Sequence, residues 1–357
     1  MACKRLIGSS FQQRCFIFCI PLAICIAYTL FLLSTPLLKL QCFVCMHDTI
    51  PNNEAKFYDL LYNKTNPINQ VSVYYRQAPS SRNSSYPYIS GDTFRAFADY
   101  VYDETRQDRL NLVKYGEIIF VKTDHLVKFF NSSFDSIKNP FVLVTHNSDA
   151  SAPAIYESYL LNPKILIWYA SNPSVRNRAK LSPIPIGLAN AYWPHGSLSK
   201  FTFALRNHRK PWSQRTNLLY VNFDVANNKA QRAKALLQAS KIGNTQIIKQ
   251  RIALETYLEH IGNVKFVLSP PGGGTDCHRT WEALYMGAVP IVLTSELDPL
   301  FSKTRSVIVN DWSQLTQDFL LSFNFSLNDH IIPDVLKARY WRKTLFRHRH
   351  NYSSVSS

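Results

Sequence analysis

The chain has 357 residues, of which 46% are hydrophobic, and a formal net charge of +16 at neutral pH. This length allows two modest domains after a short N-terminal segment. Seven cysteines, of which only Cys277 lies beyond residue 45, exclude a small disulfide-stapled scaffold. The chain shows no internal repeat and no low-complexity tract. Its positive charge is compatible with a nucleic acid, an anionic ligand or a membrane surface.

An uncharged apolar run, residues 15–38, follows a short basic tail. The run is long enough to cross a bilayer with some tilt, and three basic residues precede it whereas only Lys39 closely follows. The positive-inside rule therefore predicts a cytosolic tail at residues 1–14, a transmembrane signal-anchor at 15–38 and a lumenal remainder. A cleaved signal peptide is the alternative, although the run exceeds a usual signal core and no small-x-small cleavage site follows it.

The glycosylation triplets agree with a lumenal location. All of them follow the predicted span, and they begin at Asn63, Asn83, Asn131, Asn324 and Asn351. Because a lumenal domain rarely meets nucleic acid, we expect no nucleic-acid partner. The positive charge suits instead a nucleotide-sugar pyrophosphate, an anionic glycan or the membrane surface.

Residues 39–70 are polar and predict a stem, after which apolar runs alternate with helical patterns. This alternation predicts an α/β fold with parallel sheets, divided into an N-terminal domain at 71–200, a C-terminal domain at 201–345 and a tail at 346–357. The predicted strands are Glu117–Val121, Phe141–Thr145, Ile165–Tyr169 and Ile184–Ile186 in the first domain, and Leu218–Phe223, Phe266–Ser269, Val289–Leu293 and Val307–Val309 in the second. The predicted helices include Lys229–Ala239 and Ile252–Ile261. A ligand is expected in the cleft between two such domains.

The most informative stretch, residues 265–299, reads as strand, glycine turn, helix and strand. Two strands joined through a helix are parallel, and ligands of such units sit at the carboxyl ends of the strands. Gly272, Gly273 and Gly274 would let the backbone approach a ligand closely, and the N-terminus of the following helix attracts an anion. Asp276 is predicted to cap that helix, which should start at Cys277.

Three polar residues share one face near the start of this helix: His278, Arg279 and Glu282. A cation beside a phosphate and a carboxylate beside sugar hydroxyl groups would suit a nucleotide-sugar. Arg232, in the helix after the strand at 218–223, could reach the same phosphate. The simpler alternatives are an ordinary glycine turn, a surface Arg279–Glu282 ion pair and a solvated Arg232.

The first domain offers two candidates for a general base, a group that accepts a proton from a reacting hydroxyl group. His146 and Asp149 follow the strand at 141–145, so we expect them in a loop at its carboxyl end. Either residue could instead serve only a turn, because Asn-Ser-Asp is good turn chemistry. The loop between the domains adds candidates for the acceptor or the sugar of the donor at Asn190, Trp193 and His195, although Trp193 could simply pack.

The stretch FVLSPPGGGTDCHRTWEALYMGAVPIVL (266–293) resembles the nucleotide-sugar-binding half of exostosin-like glycosyltransferases. The sequences THNSD (145–149), PIPIGLANAYWPHG (183–196) and LYVNFDVANN (219–228) are similar to the same group. The resemblance implies a GT-B fold, in which two Rossmann-like domains face each other across a cleft: an N-terminal acceptor domain and a C-terminal nucleotide-sugar-binding domain. It also implies a single-module type II protein of the Golgi or ER membrane.

The implied activity is transfer of a sugar from a nucleotide-sugar, with a UDP-sugar favoured, to a glycan or glycoprotein. No Asp-x-Asp pair occurs in the chain, so we expect no bound metal and no permanently bound cofactor. Basic side chains and helix dipoles would then neutralise the diphosphate. The Glu296-x-Asp298 pair is a weak stand-in that we interpret as a loop near the ligand. Homo- or hetero-oligomerisation stays open.

Two other functions compete with this one. A lumenal sulfotransferase would also be basic and α/β, but it would place a Lys- or Arg-bearing loop after an early strand, whereas this glycine turn is late and carries no lysine. A non-catalytic partner of another transferase is the second alternative, and the polar helix face at 278–282 argues against it.

Overall fold

The computed structural model describes residues 82–326 and 332–349. The predicted cytosolic tail, transmembrane anchor and stem lie outside these residues, as does most of the C-terminal tail. Within the described ranges, no helix is both long enough and apolar enough to cross a membrane.

The first domain is built on a sheet of five parallel strands in the order β1-β2-β3-β4-β5. The strands are β1 (Tyr100–Tyr102), β2 (Ile118–Lys122), β3 (Phe141–His146), β4 (Ile165–Ala170) and β5 (Leu181–Pro183). Strand β3 is buried at every position, as expected for a central strand covered on both faces. Its side chains join a core of aromatic and aliphatic groups that includes Phe129, Phe134 and Trp168.

The central strands β2 to β4 confirm the sequence prediction, whereas the edges differ from it. Ile184–Ile186 is not a strand, and β5 ends just before it at Pro183. The amide of Ile184 still donates to the carbonyl oxygen of Ala170 at 2.9 Å, but the prolines at 183 and 185 have no N–H group and cannot extend the ladder. The three-residue strand β1 was not predicted, because so short an edge strand leaves little periodic signal.

The second domain contains five parallel strands in the order β10-β9-β8-β6-β7. They are β6 (Asn217–Val221), β7 (Thr245–Ile247), β8 (Val264–Leu268), β9 (Val289–Leu293) and β10 (Val307–Val309). The direction of winding reverses between β6 and β8, and this creates a topological switch point where open α/β sheets bind ligands. Strand β7 was missed because its three residues are only partly buried and mostly polar.

Nine α-helices accompany the sheets within the described residues. They are α1 (Gly91–Phe97), α2 (Leu126–Lys128), α3 (Leu198–Asn207), α4 (Lys229–Ala239), α5 (Leu254–Gly262), α6 (His278–Tyr285), α7 (Asp298–Phe301), α8 (Gln317–Leu321) and α9 (Ala338–Phe346). A π-helix at Phe129–Ser133 and several short 3-10 helices, the longest at Ala154–Leu161, fill the connections. Helix α4 has the predicted bounds, and α5 begins two residues later than predicted.

The prediction that Asp276 caps α6 is wrong. The N-cap residue is Cys277, which makes no side-chain capping bond. Asp276 lies one residue earlier and is buried, and its carboxylate accepts hydrogen bonds from the indole N–H of Trp281 at 2.8 and 2.9 Å and from the amide of Ile186 at 2.8 Å. Asp276 therefore ties the helix to the segment after β5 instead of closing the helix end.

The C-terminal helix returns to the first domain. Trp341 of α9 packs edge-on against Phe94 of α1 with 5.6 Å between ring centroids, and Arg349 forms an ion pair with Asp99. Just before α9, the carbonyl oxygen of Leu336 accepts a hydrogen bond from Tyr285 of α6. The sequence assigned residues 201–345 to the second domain, but α9 packs on the first and so links the two sheets.

Candidate active site

A cavity of about 370 Å³ opens at the switch point, beside the carboxyl ends of β6 and β8. Most of the residues proposed from sequence line it: Asp149, His195, Arg232, Gly272, Gly273, Gly274, Asp276, His278, Arg279 and Glu282. Asp149 follows β3, so the first domain contributes to a cavity that is otherwise formed largely by the second. The site therefore combines side chains separated by more than a hundred residues in sequence.

Two arginines form the cationic part of this cavity. Arg232 donates from Nε to the carbonyl oxygen of Pro271 at 2.9 Å and from Nη1 to that of Asp224 at 2.6 Å, while Arg279 donates from Nε to that of Asn222 at 3.0 Å. Both guanidinium groups lie over the ring of Phe223, at 5.6 and 5.4 Å from its centroid. Carbonyl groups orient these cations without cancelling their charge.

The electrostatics of this pair favour an anion. Burial, and then the charge of Arg279, lower the pKa of Arg232 from its ordinary value, but a guanidinium stays protonated in proteins. Nη1 of Arg279 is buried and has no hydrogen-bond partner among the described residues. A buried charged donor is costly unless something pairs with it, so the arrangement is suited to a ligand with several negatively charged oxygens.

The glycine turn passes directly against these cations. A Cβ atom on Gly272 would lie 2.6 Å from Nη2 of Arg232, so only glycine permits this approach. The amide of Gly272 donates to the carbonyl oxygen of Gly274 at 3.0 Å and keeps the turn compact. Helix α6 starts at His278, four residues after Gly274. The unpaired N–H groups of a helix N-terminus add a further preference for an anion.

Glu282 lies on the same face of α6 but is buried, with 7% of its surface exposed. The Arg279–Glu282 pair is therefore not the exposed surface pair of the simpler alternative. One carboxylate oxygen accepts a hydrogen bond from the hydroxyl group of Tyr257 at 2.8 Å. Burial raises the pKa of Glu282, and Tyr257 and Arg279 oppose the rise. A carboxylate has more acceptor positions than this one bond uses and can accept from ligand hydroxyl groups.

His278 has a defined tautomer. Its Nδ1 lies 2.7 Å from the carbonyl oxygen of Gly187, which requires a proton on Nδ1 and leaves Nε2 as an acceptor. Burial lowers the pKa of His278 from its ordinary value, whereas the hydrogen bond to Gly187 and the charge of Asp149 oppose the decrease. We therefore assign a neutral imidazole to this position at neutral pH.

The two candidate bases lie in different environments. Asp149 is exposed and rests on the glycine turn, since a Cβ atom on Gly273 would lie 2.3 Å from its Oδ2. His146 is 1% exposed and stacks on Phe94 at 5.5 Å. Its Nδ1 accepts from the amide of Asn147 at 2.7 Å, and Nε2 donates to the carbonyl oxygen of Pro185 at 3.1 Å.

These contacts of His146 do not suit proton transfer to a ligand. Both ring nitrogens are already bonded to the backbone, and burial lowers its pKa to about 4. His146 does not line the cavity. We therefore keep Asp149 as the candidate base and assign His146 a structural role in positioning the loop after β3.

The three residues of the inter-domain loop have separate positions. Asn190 is buried and connects two segments, because its side chain accepts from the amide of Asp92 at 2.8 Å and donates to Asn147 at 3.0 Å. His195 lines the cavity, and Trp193 stacks on it with 6.0 Å between centroids and 23° between planes. Trp193 is 49% exposed, so it is not the packing residue of the simpler alternative.

Sequence reasoning missed several residues of the site, of which Tyr257 in the cavity lining and Asn172 beside the glycine turn make the most informative contacts. Tyr257 is the hydrogen-bond partner of Glu282, but within an amphipathic helix it reads as an ordinary aromatic residue. Asn172 is 1% exposed and accepts from the amide of Asp276 at 3.0 Å while donating to the carbonyl oxygen of Ser148 at 3.1 Å. It joins the loop after β4 to the glycine turn, and its only sequence signal is its place after a buried strand.

A second cavity, of about 220 Å³, lies against the same glycine turn. Its polar lining consists mainly of hydroxyl groups, from Ser269, Thr275, Thr280, Thr294 and Ser295. The neighbouring Glu296 and Asp298 are paired with Arg176 at 3.5 and 3.3 Å. In the described part of the chain, no group of three His, Cys, Asp or Glu side chains could hold a metal ion.

A scan of the chain against protein-family models finds no match, and a search of curated proteins finds no significant relative. The functional assignment therefore depends on the residues and geometry described above.

Proposed function

We propose that this chain is a glycosyltransferase of the GT-B type that moves a sugar from a nucleotide-sugar, with a UDP-sugar as the expected donor, to a glycan or glycoprotein acceptor. The observation that carries the proposal is the Arg232–Arg279 pair at the switch point of the second sheet, faced by the Asp149 carboxylate of the first domain. The pair suits a leaving diphosphate, and the carboxylate suits an incoming hydroxyl group.

The four exostosin-like sequences support the same conclusion. The sequences at 145–149, 183–196, 219–228 and 266–293 each contribute at least one residue to the lining of the larger cavity. These segments belong to both domains and come together only in the folded chain. Convergence on one cavity is expected of motifs that share a ligand.

Different parts of the donor would bind in the two cavities. The diphosphate would lie between the two guanidinium groups and the N-terminus of α6, with ribose hydroxyl groups on Glu282 beside Tyr257. The hydroxyl-rich second cavity would take the transferred sugar, since both cavities share Gly272, Gly273 and Gly274. The anomeric carbon would then lie close to the glycine turn, within reach of Asp149.

The chemical step is a direct displacement. Asp149 accepts the proton of the acceptor hydroxyl group, and the hydroxyl oxygen forms a bond to the anomeric carbon. The bond between that carbon and the phosphate oxygen breaks, and its electron pair leaves with the nucleoside diphosphate. Arg232, Arg279 and the α6 N-terminus stabilise the charge that grows on the diphosphate. Two fixed cations would do the work of a divalent ion, so chelator should leave most transfer activity intact.

A binding measurement on the full-length chain tests the proposal. UDP should raise the melting temperature, with about 2.7 kcal/mol of added stability when its concentration is a hundred times the dissociation constant. Arg279→Gln should weaken this shift, and the exposed Arg109→Gln is the matched control. A shift with phosphoadenosine phosphosulfate in place of UDP would indicate a sulfotransferase. UDP binding without hydrolysis or transfer would indicate the non-catalytic partner, and no response to either nucleotide would refute the assignment.

We also propose that the globular part is lumenal in the Golgi or ER and anchored as a type II membrane protein. Three of the predicted glycosylation asparagines, Asn83, Asn131 and Asn324, are described and exposed, as modification requires. Glycosidase treatment of the expressed protein should increase its gel mobility. Unmodified asparagines at all sites would contradict a lumenal location.

A further inference from the structure

A row of aromatic rings leads from the larger cavity to the protein surface. His278 and His195 lie in the cavity with 6.4 Å between ring centroids. Trp193 stacks on His195 at 6.0 Å, and Tyr192 contacts Trp193 at 5.1 Å. We call Tyr192, Trp193 and His195 the aromatic strip. The strip continues a catalytic cavity outward, which is the direction from which an acceptor must enter.

Two rings of the aromatic strip expose apolar surface to water, which is unfavourable unless a ligand covers it. Tyr192 is 46% exposed and Trp193 is 49% exposed. Of the other exposed large hydrophobic side chains of the described residues, Ile155 and Leu161 lie at opposite ends of one 3-10 helix, and the rest, such as Leu112 and Phe203, lie on separate elements. Isolated exposed hydrophobic residues are normal, whereas adjoining exposed aromatic rings beside a cavity indicate a binding surface.

The loop that carries the strip is held in place before any ligand binds. The guanidinium of Arg82 lies 4.8 Å from the centroid of the Tyr192 ring, and Arg82 is itself fixed by a buried ion pair with Asp92 at 2.9 Å. The amide of Trp193 donates to the carbonyl oxygen of Asn190 at 3.0 Å, and that of Gly196 donates to Trp193 at 2.8 Å. Rings that are already ordered lose little freedom on binding, which favours affinity.

We propose that the aromatic strip binds the acceptor as a neutral oligosaccharide of at least two sugar units, with the apolar faces of successive sugar rings stacked on Trp193 and Tyr192. The inference rests on the proposed transferase function and specifies its acceptor. Aromatic side chains combine a flat apolar face with a polar edge, which matches a sugar ring with its C–H face and its rim of hydroxyl groups. Arg82, the cation that lies over the Tyr192 ring, is paired with Asp92 and Glu104, so its charge is already balanced and gives no preference for an anionic chain.

A nucleobase is the other flat ligand that could stack here. The contacts proposed for the nucleoside, Tyr257 and Glu282, line the larger cavity, whereas Tyr192 and Trp193 do not. A base stacked on Trp193 would lie beyond His195, on the outer side of the cavity. The geometry therefore favours a saccharide on the strip, and UDP becomes an arm of the test.

Trp193 provides its own reporter. The chain contains six tryptophans, and the other five, Trp168, Trp212, Trp281, Trp312 and Trp341, are at most 4% exposed. Acrylamide quenching of the fluorescence of the full-length protein therefore measures access to Trp193, and Trp193→Phe should remove most of the quenchable signal. The probes are short neutral gluco-, xylo-, galacto- and manno-oligosaccharides, each with and without UDP, and UDP alone.

At least one oligosaccharide should protect Trp193 saturably, with its monosaccharide far weaker. Tyr192→Ala keeps the reporter and should raise the dissociation constant roughly threefold to tenfold, the loss expected for one stacked ring. Phe203→Ala, an exposed aromatic residue away from the strip, is the matched control and should change nothing.

The experiment distinguishes failure of the acceptor proposal from failure of the proposed transferase function. If no oligosaccharide protects Trp193, or if UDP alone protects it as fully, the inference is overturned while the transferase function stands. If an oligosaccharide protects it but UDP never binds, the strip is a saccharide site and the proposed transfer reaction fails.

Discussion

Substitution of Gly273 by alanine would test whether Asp149 is the base, without changing any ionisable group. A Cβ atom at this position would lie 2.3 Å from Oδ2 of Asp149, whereas ordinary contacts begin near 3.4 Å. Because Asp149 is exposed, its carboxylate can move aside, and the backbone of Gly273 is not in the left-handed region. The carboxylate must therefore shift by about 1 Å, a displacement that can slow an enzyme about 10²-fold.

Stability and activity should separate in this variant. Gly273→Ala should melt at or slightly above the wild-type temperature, since alanine restricts the unfolded chain, and it should keep its affinity for UDP. Its kcat for sugar transfer should fall about 10²-fold, towards the loss expected for Asp149→Asn. The assay is single-turnover transfer from whichever UDP-sugar supports activity, together with thermal melting.

Two other glycines supply controls. Gly243→Ala also adds a methyl group near a flexible side chain, 3.0 Å from Oε1 of Gln317, and should leave activity unchanged. Gly274→Ala would place its Cβ 2.9 Å from Nδ2 of Asn172, which is buried and bonded to two segments, so it should lower the melting temperature. Full transfer activity in a stable Gly273→Ala protein would refute the role of Asp149 at the glycine turn.

Three further predictions follow from the site. Arg279→Ala should lower kcat by about 10²–10³, the usual loss for one donor to a developing charge, whereas Glu282→Gln should mainly raise KM for the donor; equal loss of both parameters in both variants would show that the face is structural. Asp149→Asn should slow transfer about 10²–10⁴-fold and preserve UDP affinity, and a weakened affinity would place this loop at the donor instead. The pKa of His146 falls from 6.5 to about 4 on folding, because the buried imidazole resists protonation. The free energy of unfolding should therefore be undiminished above pH 6.5 and should decrease by about 3 kcal/mol as the pH falls to 4. In denaturant titrations, His146→Gln should show a smaller change in the free energy of unfolding between pH 4 and 6.5, and an unchanged pH dependence would contradict the assignment. The buried carboxyl of Asp276, whose pKa of about 7 has the opposite effect on stability, is present in both proteins and so does not alter the difference between them.

The part of the cavity lining proposed to bind the donor could be predicted from sequence because one continuous segment encodes it. The strand, turn and helix at 264–285 place the glycines, His278, Arg279 and Glu282 together by local geometry alone. Arg232 was predicted as only one of two alternatives, because its position depends on the carbonyl groups of Pro271 and Asp224. A helix pattern contains no information about which distant loop will meet its polar face.

The first-domain side was harder to predict, because the roles of neighbouring residues depend on burial. The sequence offered both His146 and Asp149 as bases in one loop, but His146 is the last residue of β3 and Asp149 lies three residues on, in the loop that follows. In the structure one has its ring buried and bonded to the backbone, and the other lies exposed against the glycine turn. The path of the segment after β5, which places the Pro185 carbonyl oxygen within hydrogen-bond distance of His146 Nε2, helps to separate the two roles.

The same segment explains why the site needs both domains. The residues between β5 and α3 supply the carbonyl group that fixes the His278 tautomer, through Gly187, and the amide of Ile186 that holds Asp276. They also carry His195 and the aromatic strip. The donor contacts proposed on α6 are thus oriented by backbone groups of the segment that also carries the proposed acceptor surface. A change in this segment should therefore disturb donor and acceptor affinities together, whereas Tyr192→Ala, at the outer end, should affect the acceptor alone.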